Sequence, residues 1–142
     1  MNFHIRAATL ADIRQMVELA GPPVTRDSLA EWFDGDSAYA AWHLVEDDAG
    51  RALGFQHIGR SDALPPEACE IATFFTRTEK LPAGAGARLF DTSAEAARLL
   101  RYTWISAAIG QTNEAARVYY QALGFRPYDA DATRQHLRFD LD

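Results

Sequence analysis

Residues 70–89 carry the pattern with the clearest chemical meaning in this chain. An apolar stretch and a short linker are followed by Gly84-Ala85-Gly86 at the start of a helical pattern. Glycine lets the backbone approach an anion closely, and the first N–H groups of a helix have no intrahelical acceptor. A strand, a glycine turn and a helix N-terminus in this order can therefore hold a phosphate group. A single Gly-x-Gly turn is a weak signal, because it also occurs as a plain helix entry.

A second group of candidate residues contains Asn113, Tyr120 and Gly124-Phe125. Asn113 is a favoured N-cap residue, and glycine is the residue type that most often follows the end of a helix. Since successive helical residues are rotated by about 100°, Tyr119 is predicted to lie in the core and Tyr120 to be accessible. The predicted apolar face of this helix consists of Ala115, Val118, Tyr119 and Ala122.

The elements that must position these residues follow from the hydrophobic periodicity. The predicted strands are 3–7, 39–46, 51–59, 69–76, 104–109 and 136–141. The predicted helices begin near Thr9, Thr25, Gly86 and Asn113. This order, with one further strand left open near the C-terminus, predicts an α/β (α+β) fold with a mixed sheet and helices on its faces.

Composition and charge exclude several classes of protein. The 142 residues suit a single domain, 1–142, with its own core. A net charge of -6 and the lack of a Lys/Arg cluster argue against a nucleic-acid-binding surface. No apolar run is long enough for a transmembrane helix, so no membrane association is expected. The four histidines show no metal-ligand spacing, so no metal is expected.

The expected compartment is the cytoplasm. The N-terminal residues lack the apolar segment of a signal peptide. The only cysteine, Cys69, cannot form an internal disulfide and is expected to be a small buried residue rather than a nucleophile.

Together the two motifs and the order of elements resemble the GNAT superfamily of acetyl-CoA-dependent N-acetyltransferases over nearly the whole chain. In that family a central strand ends in a hydrophobic pair and a β-branched residue, here Phe74-Phe75-Thr76. Eight positions after the β-branched residue comes the first glycine of a (Gln/Arg)-x-x-Gly-x-(Gly/Ala) loop, here Gly84. The second motif, Asn113 with Tyr120 and Gly124-Phe125, also matches the family.

The loop departs from the family at its first two residues. Leu81 replaces the usual Gln or Arg, and Pro82 stands where the family has a flexible residue. The loop therefore lacks a polar side chain but keeps its backbone donors. Candidates for compensating positive charge are Arg77, Lys80 and Arg88.

The resemblance implies a mostly antiparallel sheet with helices on both faces and splayed central strands 69–76 and 104–110. It implies that N–H groups of residues 83–87 hold the pyrophosphate of acetyl-CoA, with the backbone of Phe74 and Thr76 along the pantetheine arm. A bulge would aim the N–H of Phe74 or Phe75 at the thioester carbonyl. The implied acetyl-CoA contacts are Phe74, Phe75, Thr76, Leu81, Ala83, Gly84, Ala85, Gly86, Ala87, Arg88, Asn113 and Tyr120.

The implied activity is transfer of an acetyl group to a primary amine of a small molecule or peptide, in a bacterial-type enzyme. Tyr120 would protonate the departing thiolate, and Glu70 would accept the proton of the amine, directly or through water. His57 is a second candidate base, and Asp62 is a candidate for binding a cationic acceptor. Dimers are frequent in the family, which leaves a homodimer open.

Two other interpretations differ in class. The Leu81-Pro82 departure favours a GNAT fold without catalysis, acting as an acyl-CoA-binding regulatory or interaction module. A Rossmann-type nucleotide-binding motif would require a third glycine where Leu89 stands. The aromatic residues Trp32, Phe33, Trp42 and Phe55 are expected either in the core or in the wall of a substrate pocket.

Overall fold

The computed structural model describes residues 2–35 and 37–142, and its central feature is a seven-stranded sheet. The strand order is β1-β2-β3-β4-β5-β7-β6, and every neighbouring pair is antiparallel except the parallel pair β4–β5. This confirms the predicted mixed, mostly antiparallel sheet. The strands are β1 (Phe3–Ala7), β2 (Ala41–Asp47), β3 (Ala52–Gly59), β4 (Ala68–Phe75), β5 (Trp104–Gly110), β6 (Arg126–Ala130) and β7 (Arg134–Asp140).

Two helices cover each face of the sheet, as expected. They are α1 (Ile13–Ala20) and α2 (Arg26–Asp34) on one face, and α3 (Ala85–Leu99) and α4 (Glu114–Leu123) on the other. Local capping residues fix several ends. The hydroxyl of Thr25 accepts the N–H of Ser28 at the start of α2, and Gly124 ends α4 with a left-handed φ of 111°.

Three of the four residues predicted for the apolar face of α4 are exposed, and only Tyr119 faces inward. Val118 is 54% exposed, and Ala115 and Ala122 are also exposed. The inward face is formed by the half-buried Ala116, Tyr119 and Leu123 and the buried Tyr120. The ring of Tyr120 packs 5.0 Å from that of Phe125. The helix rotates this way because burying a tyrosine ring and a leucine removes more apolar surface from water than burying alanines and a valine.

Strand β6 has no sequence signal of its own. Its sequence, Arg-Pro-Tyr-Asp-Ala, does not alternate between polar and apolar residues, and all five residues are exposed. It contains Pro127 and lies at the edge of the sheet beside β7, a position that tolerates a residue without an N–H group.

The central strands β4 and β5 separate soon after they meet. They pair at only three positions, Ala68–Trp104, Cys69–Ile105 and Glu70–Ser106. Beyond Glu70, β4 continues to Phe75 beside β3, and β5 continues to Gly110 beside β7. This confirms the predicted splay and leaves an opening in the middle of the sheet.

Candidate functional site

The opening between β4 and β5 is a cleft of about 620 Å³. Its walls come from β4 beyond Cys69, the C-terminal end of β5 and the first half of α4. They include Glu70, Thr73, Phe75, Asn113, Tyr119 and Tyr120. A cleft of this size is in the range of small-molecule and cofactor sites.

The peptide groups of β4 divide between β3 and the cleft. The N–H of Thr76 donates to the carbonyl of Leu53 at 2.9 Å, and the β3–β4 register is unbroken from Gly59–Glu70 to Gly54–Phe75. In an antiparallel ladder only every second residue turns its N–H and C=O groups towards the partner strand. The peptide groups of Thr73 and Phe75 therefore face the cleft.

Two details expected for this strand are wrong. No register shift interrupts β4 opposite β3, so the expected bulge is absent from it. Phe74 and Thr76 turn their N–H groups to β3, so they do not present the peptide groups expected of them, and those that face the cleft belong to Thr73 and Phe75. The N–H of Phe75 remains available for a carbonyl, as one of the two options predicted.

The residues that depart from the family motif have structural roles. Leu81 is half-buried and packs on the core cluster that contains Val45, Leu53 and Leu89. Pro82 is buried, and its carbonyl accepts the N–H of Ala85 at 3.0 Å. The side chain of Leu81 therefore holds the turn to the core.

The first turn of α3 leaves backbone donors free for an anion. Gly84 precedes the helix with a left-handed φ of 83°, and its carbonyl accepts the N–H of Arg88. The N–H groups of Gly86 and Ala87 lie where a helix offers no acceptor. A Cβ added at Gly84 would meet nothing within 4 Å, so the space outside the turn is open. This arrangement fits a diphosphate, although Ala85 does not contribute because its N–H is used within the turn.

The three candidate cations lie in different surroundings. Arg77 lines the cleft. Arg88 points instead into a separate concavity beside Asn2–Ile5 and Thr92, and Lys80 is exposed. Within the described residues, none of the three forms an ion pair.

The two adjacent tyrosines of α4 are arranged opposite to expectation. Tyr120 is the more buried, with 5% exposure, and its Oη lies 2.7 Å from the Oγ1 of Thr73. Tyr119 is half-buried, donates to the carbonyl of Gly86 at 2.8 Å and accepts from the Nε2 of Gln56 at 2.8 Å. The pKa of Tyr120 is raised to about 12, mainly because the phenol is buried; the hydrogen bond with Thr73 lowers it, and the nearby charge of Glu70 raises it. Its phenol is therefore protonated at neutral pH.

The two candidate bases lie in different environments. Glu70 is half-buried and lines the cleft with Tyr120. His57 is 8% exposed, and its ring lies 4.4 Å from that of Trp32 and 4.3 Å from that of Trp42. Burial lowers the pKa of His57 to about 3, and the residue does not line the cleft. Asp62 is exposed in the β3–β4 loop and is not a lining residue either.

Comparisons with known proteins identify the family. The model of the Acetyltransferase (GNAT) family matches residues 9–125. The chain belongs to the GNAT acetyltransferase family. This confirms the resemblance inferred from the two motifs. None of the curated proteins is a significant match.

Solved structures of GNAT proteins share the whole fold. An N-acetyltransferase from Staphylococcus aureus Mu50 is 20% identical, with all of both chains covered and a TM-score of 0.84. The yncA protein of Salmonella typhimurium, solved with acetyl-CoA, is 19% identical over 99% of this chain and 94% of its own, with a TM-score of 0.83. A phosphinothricin acetyltransferase from Sinorhizobium meliloti, in complex with acetyl-CoA, is 16% identical over 99% of this chain and 89% of its own, with a TM-score of 0.85.

The remaining predicted residues have structural positions within this GNAT fold. Asn113 caps α4 by accepting the N–H of Ala116 at 3.1 Å, and it also lines the cleft. Burial raises the pKa of the Cys69 thiol to about 12, so this thiol is not a nucleophile at neutral pH. Trp32, Phe33, Trp42 and Phe55 form the core between α1, α2 and the sheet.

Among residues 2–35 and 37–142, no group of His, Cys, Asp and Glu side chains is arranged to hold a metal ion. No helix in the same residues combines the length and apolar character needed to cross a membrane.

Sequence reasoning missed the hydrogen-bonding roles of three residues: Thr73 and Tyr119, which line this GNAT cleft, and Gln56, which donates to Tyr119. Gln56 had a visible signal, because Gln56 and His57 are the two polar side chains in the otherwise apolar strand β3. Thr73 and Tyr119 had none, since their roles depend on the register of β4 and the rotation of α4.

Proposed function

We propose that this protein transfers an acetyl group from acetyl-CoA to a primary amine of a small molecule or peptide. The observation that carries the proposal is the cleft between β4 and β5. It brings together the outward peptide groups of β4, the hydroxyl of Tyr120 and the carboxyl of Glu70. The first turn of α3 adjoins Tyr119 and Phe75 of this cleft at Gly86.

The residues on the cofactor side fit acetyl-CoA. The N–H groups of residues 83, 84, 86 and 87 would bind the pyrophosphate, which the dipole of α3 also favours. The peptide groups of Thr73 and Phe75 would pair with the amides of the pantetheine arm, as an added strand does. The complexes of the Salmonella and Sinorhizobium proteins with acetyl-CoA support this assignment.

The residues on the reaction side can balance the protons of acetyl transfer. The amine nitrogen forms a bond to the acetyl carbon, the carbon–sulfur bond breaks, and CoA leaves as a thiolate. Glu70 would take the proton lost by the amine, and the hydroxyl of Tyr120 would give one to the sulfur. The N–H of Phe75 would stabilise the negative charge that develops on the thioester oxygen.

The high pKa of Tyr120 is compatible with this role. A free thiol has a pKa of about 8.5, which would make proton transfer from a phenol of pKa about 12 unfavourable in water. Burial raises the pKa of a thiol as well, and the buried Cys69 thiol of this chain has a pKa of about 12. A thiolate desolvated beside Tyr120 would therefore be close to it in basicity.

The test is a panel of amines with acetyl-CoA, followed by release of free thiol. The panel contains amino acids, polyamines, aminoglycosides and peptides with free N-termini or lysines. We expect turnover with at least one class, together with a rise in melting temperature on adding acetyl-CoA. Stabilisation without turnover would favour the non-catalytic module, and no stabilisation at millimolar acetyl-CoA would contradict cofactor binding altogether.

A further inference from the structure

A chain of buried and partly buried hydrogen bonds connects β3, α4 and the first turn of α3. The amide of Gln56, which is fully buried, donates to the Oη of Tyr119 at 2.8 Å. The Oη of Tyr119 donates in turn to the carbonyl of Gly86 at 2.8 Å. At the other end, the hydroxyl of Ser93 donates to the Oε1 of Gln56 at 2.7 Å. Each buried polar group thus has a partner, which offsets the cost of removing it from water.

The last bond of this chain acts on the peptide that joins Gly86 to Ala87. A trans peptide is planar, and its C=O and N–H groups point in opposite directions. A hydrogen bond to the oxygen of Gly86 therefore adds to the helical bonding of α3 in fixing the direction of the Ala87 N–H. It also polarises the peptide and makes that N–H a stronger donor. The Ala87 N–H is one of the donors at the start of α3 that lack an intrahelical acceptor.

The ring of Tyr119 also packs against the glycine itself. A Cβ added to Gly86 would lie 3.1 Å from the Cε1 of Tyr119 and 3.7 Å from the Cζ of Phe75. The rings of Tyr119 and Phe75 meet edge to face, with centroids 5.1 Å apart. Position 86 thus allows the phenol to reach the backbone, and the side chain is held from two sides.

We propose that Tyr119, supported by Gln56, is a positioning residue for the diphosphate of the acyl donor. It holds the Gly86–Ala87 peptide so that the Ala87 N–H faces the phosphate groups. This role rests on the proposed function and differs from that of Tyr120, whose hydroxyl contacts Thr73 in the middle of the cleft. Tyr119 thus provides a polar side chain beneath the turn, whereas Leu81, at the first loop position, is apolar.

Burial raises the pKa of the Tyr119 phenol above its usual value, and the neighbouring Tyr120 contributes to the shift. The hydroxyl is therefore a permanent donor at neutral pH, as holding a carbonyl requires.

The experiment compares two acyl donors that differ in the phosphate groups. Dissociation constants of acetyl-CoA and S-acetylpantetheine are measured by calorimetry for the unmodified protein, Tyr119→Phe and Tyr128→Phe. We expect Tyr119→Phe to weaken acetyl-CoA binding about five- to tenfold and to change S-acetylpantetheine binding less than about twofold. Tyr128→Phe, which removes a hydroxyl bound to Ser106 outside the cleft, should change the affinity for either donor less than about twofold.

Kinetics with an accepted amine provide the second readout. Tyr119→Phe should raise the KM for acetyl-CoA with kcat nearly unchanged, whereas Tyr120→Phe should lower kcat. Gln56→Met, which keeps the volume but removes the donor to Tyr119, should show the same KM effect at a smaller size. If Tyr119→Phe does not fold, the KM of Gln56→Met tests the positioning role instead.

The outcomes separate this inference from the proposed function. Equal loss of affinity for both donors in Tyr119→Phe and Gln56→Met, or no loss for acetyl-CoA, would overturn the positioning role. If the unmodified protein binds no acetyl-CoA, the proposed function fails and the positioning role fails with it. If the unmodified protein binds and turns over acetyl-CoA while both variants keep its affinity, only the positioning role is overturned.

Discussion

Gln56 and His57 are neighbours in β3, yet they lie on opposite faces of the sheet in opposite environments. On the face covered by α3 and α4, Gln56 and its cross-strand partner Thr73 each hold a tyrosine hydroxyl beside the cleft. On the face covered by α1 and α2, His57 lies between the rings of Trp32 and Trp42.

The difference shows that residue type does not decide which polar group is available for chemistry. An imidazole has an ordinary pKa suited to proton transfer at neutral pH. At position 57, however, burial among aromatic rings keeps it neutral and away from the cleft. Gln56 cannot transfer a proton, but it lies on the face where its hydrogen bonds reach the cleft.

The largest effect is expected from Tyr120→Phe on the cleft face. The phenylalanine ring keeps the contact with Phe125, but the proton donor is lost, so kcat should fall about 100-fold or more. Steady-state kinetics with an amine from the panel measure this. Tyr128→Phe, which removes a hydroxyl bound to Ser106, is the matched control and should stay within about twofold. A fully active Tyr120→Phe enzyme would show that Tyr120 is not the general acid.

Replacing the two candidate bases, Glu70 and His57, should lower the activity to very different extents. Glu70→Gln should lower kcat/KM at least about tenfold, because the amine loses its proton acceptor. His57→Gln should leave kcat within about threefold, because His57 lies outside the cleft. Glu95→Gln, on the exposed surface of α3, is the control for loss of a carboxylate. The comparison between the two faces fails if His57→Gln lowers kcat more than Glu70→Gln does.

Because His57 is buried, we expect the free energy of unfolding to fall at acidic pH. The pKa of His57 is about 3 in the folded protein and about 6.5 in an unfolded chain. The stabilisation that neutral His57 gives to the folded protein is complete above about pH 6.5. It is lost as the pH falls towards 3, because in this range only the unfolded chain binds the proton. Each pH unit in this window changes the free energy of unfolding by about 1.4 kcal/mol.

Urea unfolding at pH 7, 5.5 and 4.5 measures this dependence. His57→Gln should flatten the dependence relative to the unmodified protein, and His4→Gln, at an exposed site, should leave it unchanged. An identical pH dependence in His57→Gln would mean that His57 is not held neutral.

The smallest effect distinguishes two glycine turns with the same backbone strain. Gly84 and Gly50 have φ values of 83° and 81°, and an added Cβ would meet nothing within 4 Å at either site. Alanine at each should therefore destabilise the protein by a similar amount, about 1 kcal/mol. Only Gly84→Ala should also weaken acetyl-CoA binding, measured by calorimetry. Equal affinities in the two variants would argue that the α3 turn does not bind the diphosphate.

Much of the fold was predictable because its signals are local. The turn before α3, the cap of α4 by Asn113 and its end at Gly124 each depend on the backbone of a few adjacent residues. The alternation or continuity of apolar residues likewise identified every strand except β6, whose five residues are exposed and show no period. The spacing from Thr76 to Gly84 and the Asn113–Tyr120–Gly124 motif indicated the GNAT family without any structure.

The structure alone decided how these elements meet. Which peptide groups of β4 face the cleft depends on its register with β3, and which tyrosine is buried depends on the rotation of α4 against the sheet. Both are fixed by contacts between residues far apart in the chain: the hydrogen bond from Gln56 to Tyr119 spans 63 positions. A sequence pattern reports the preferences of neighbouring residues. The total surface buried by distant elements determines the register, the rotation and therefore the chemistry of the cleft.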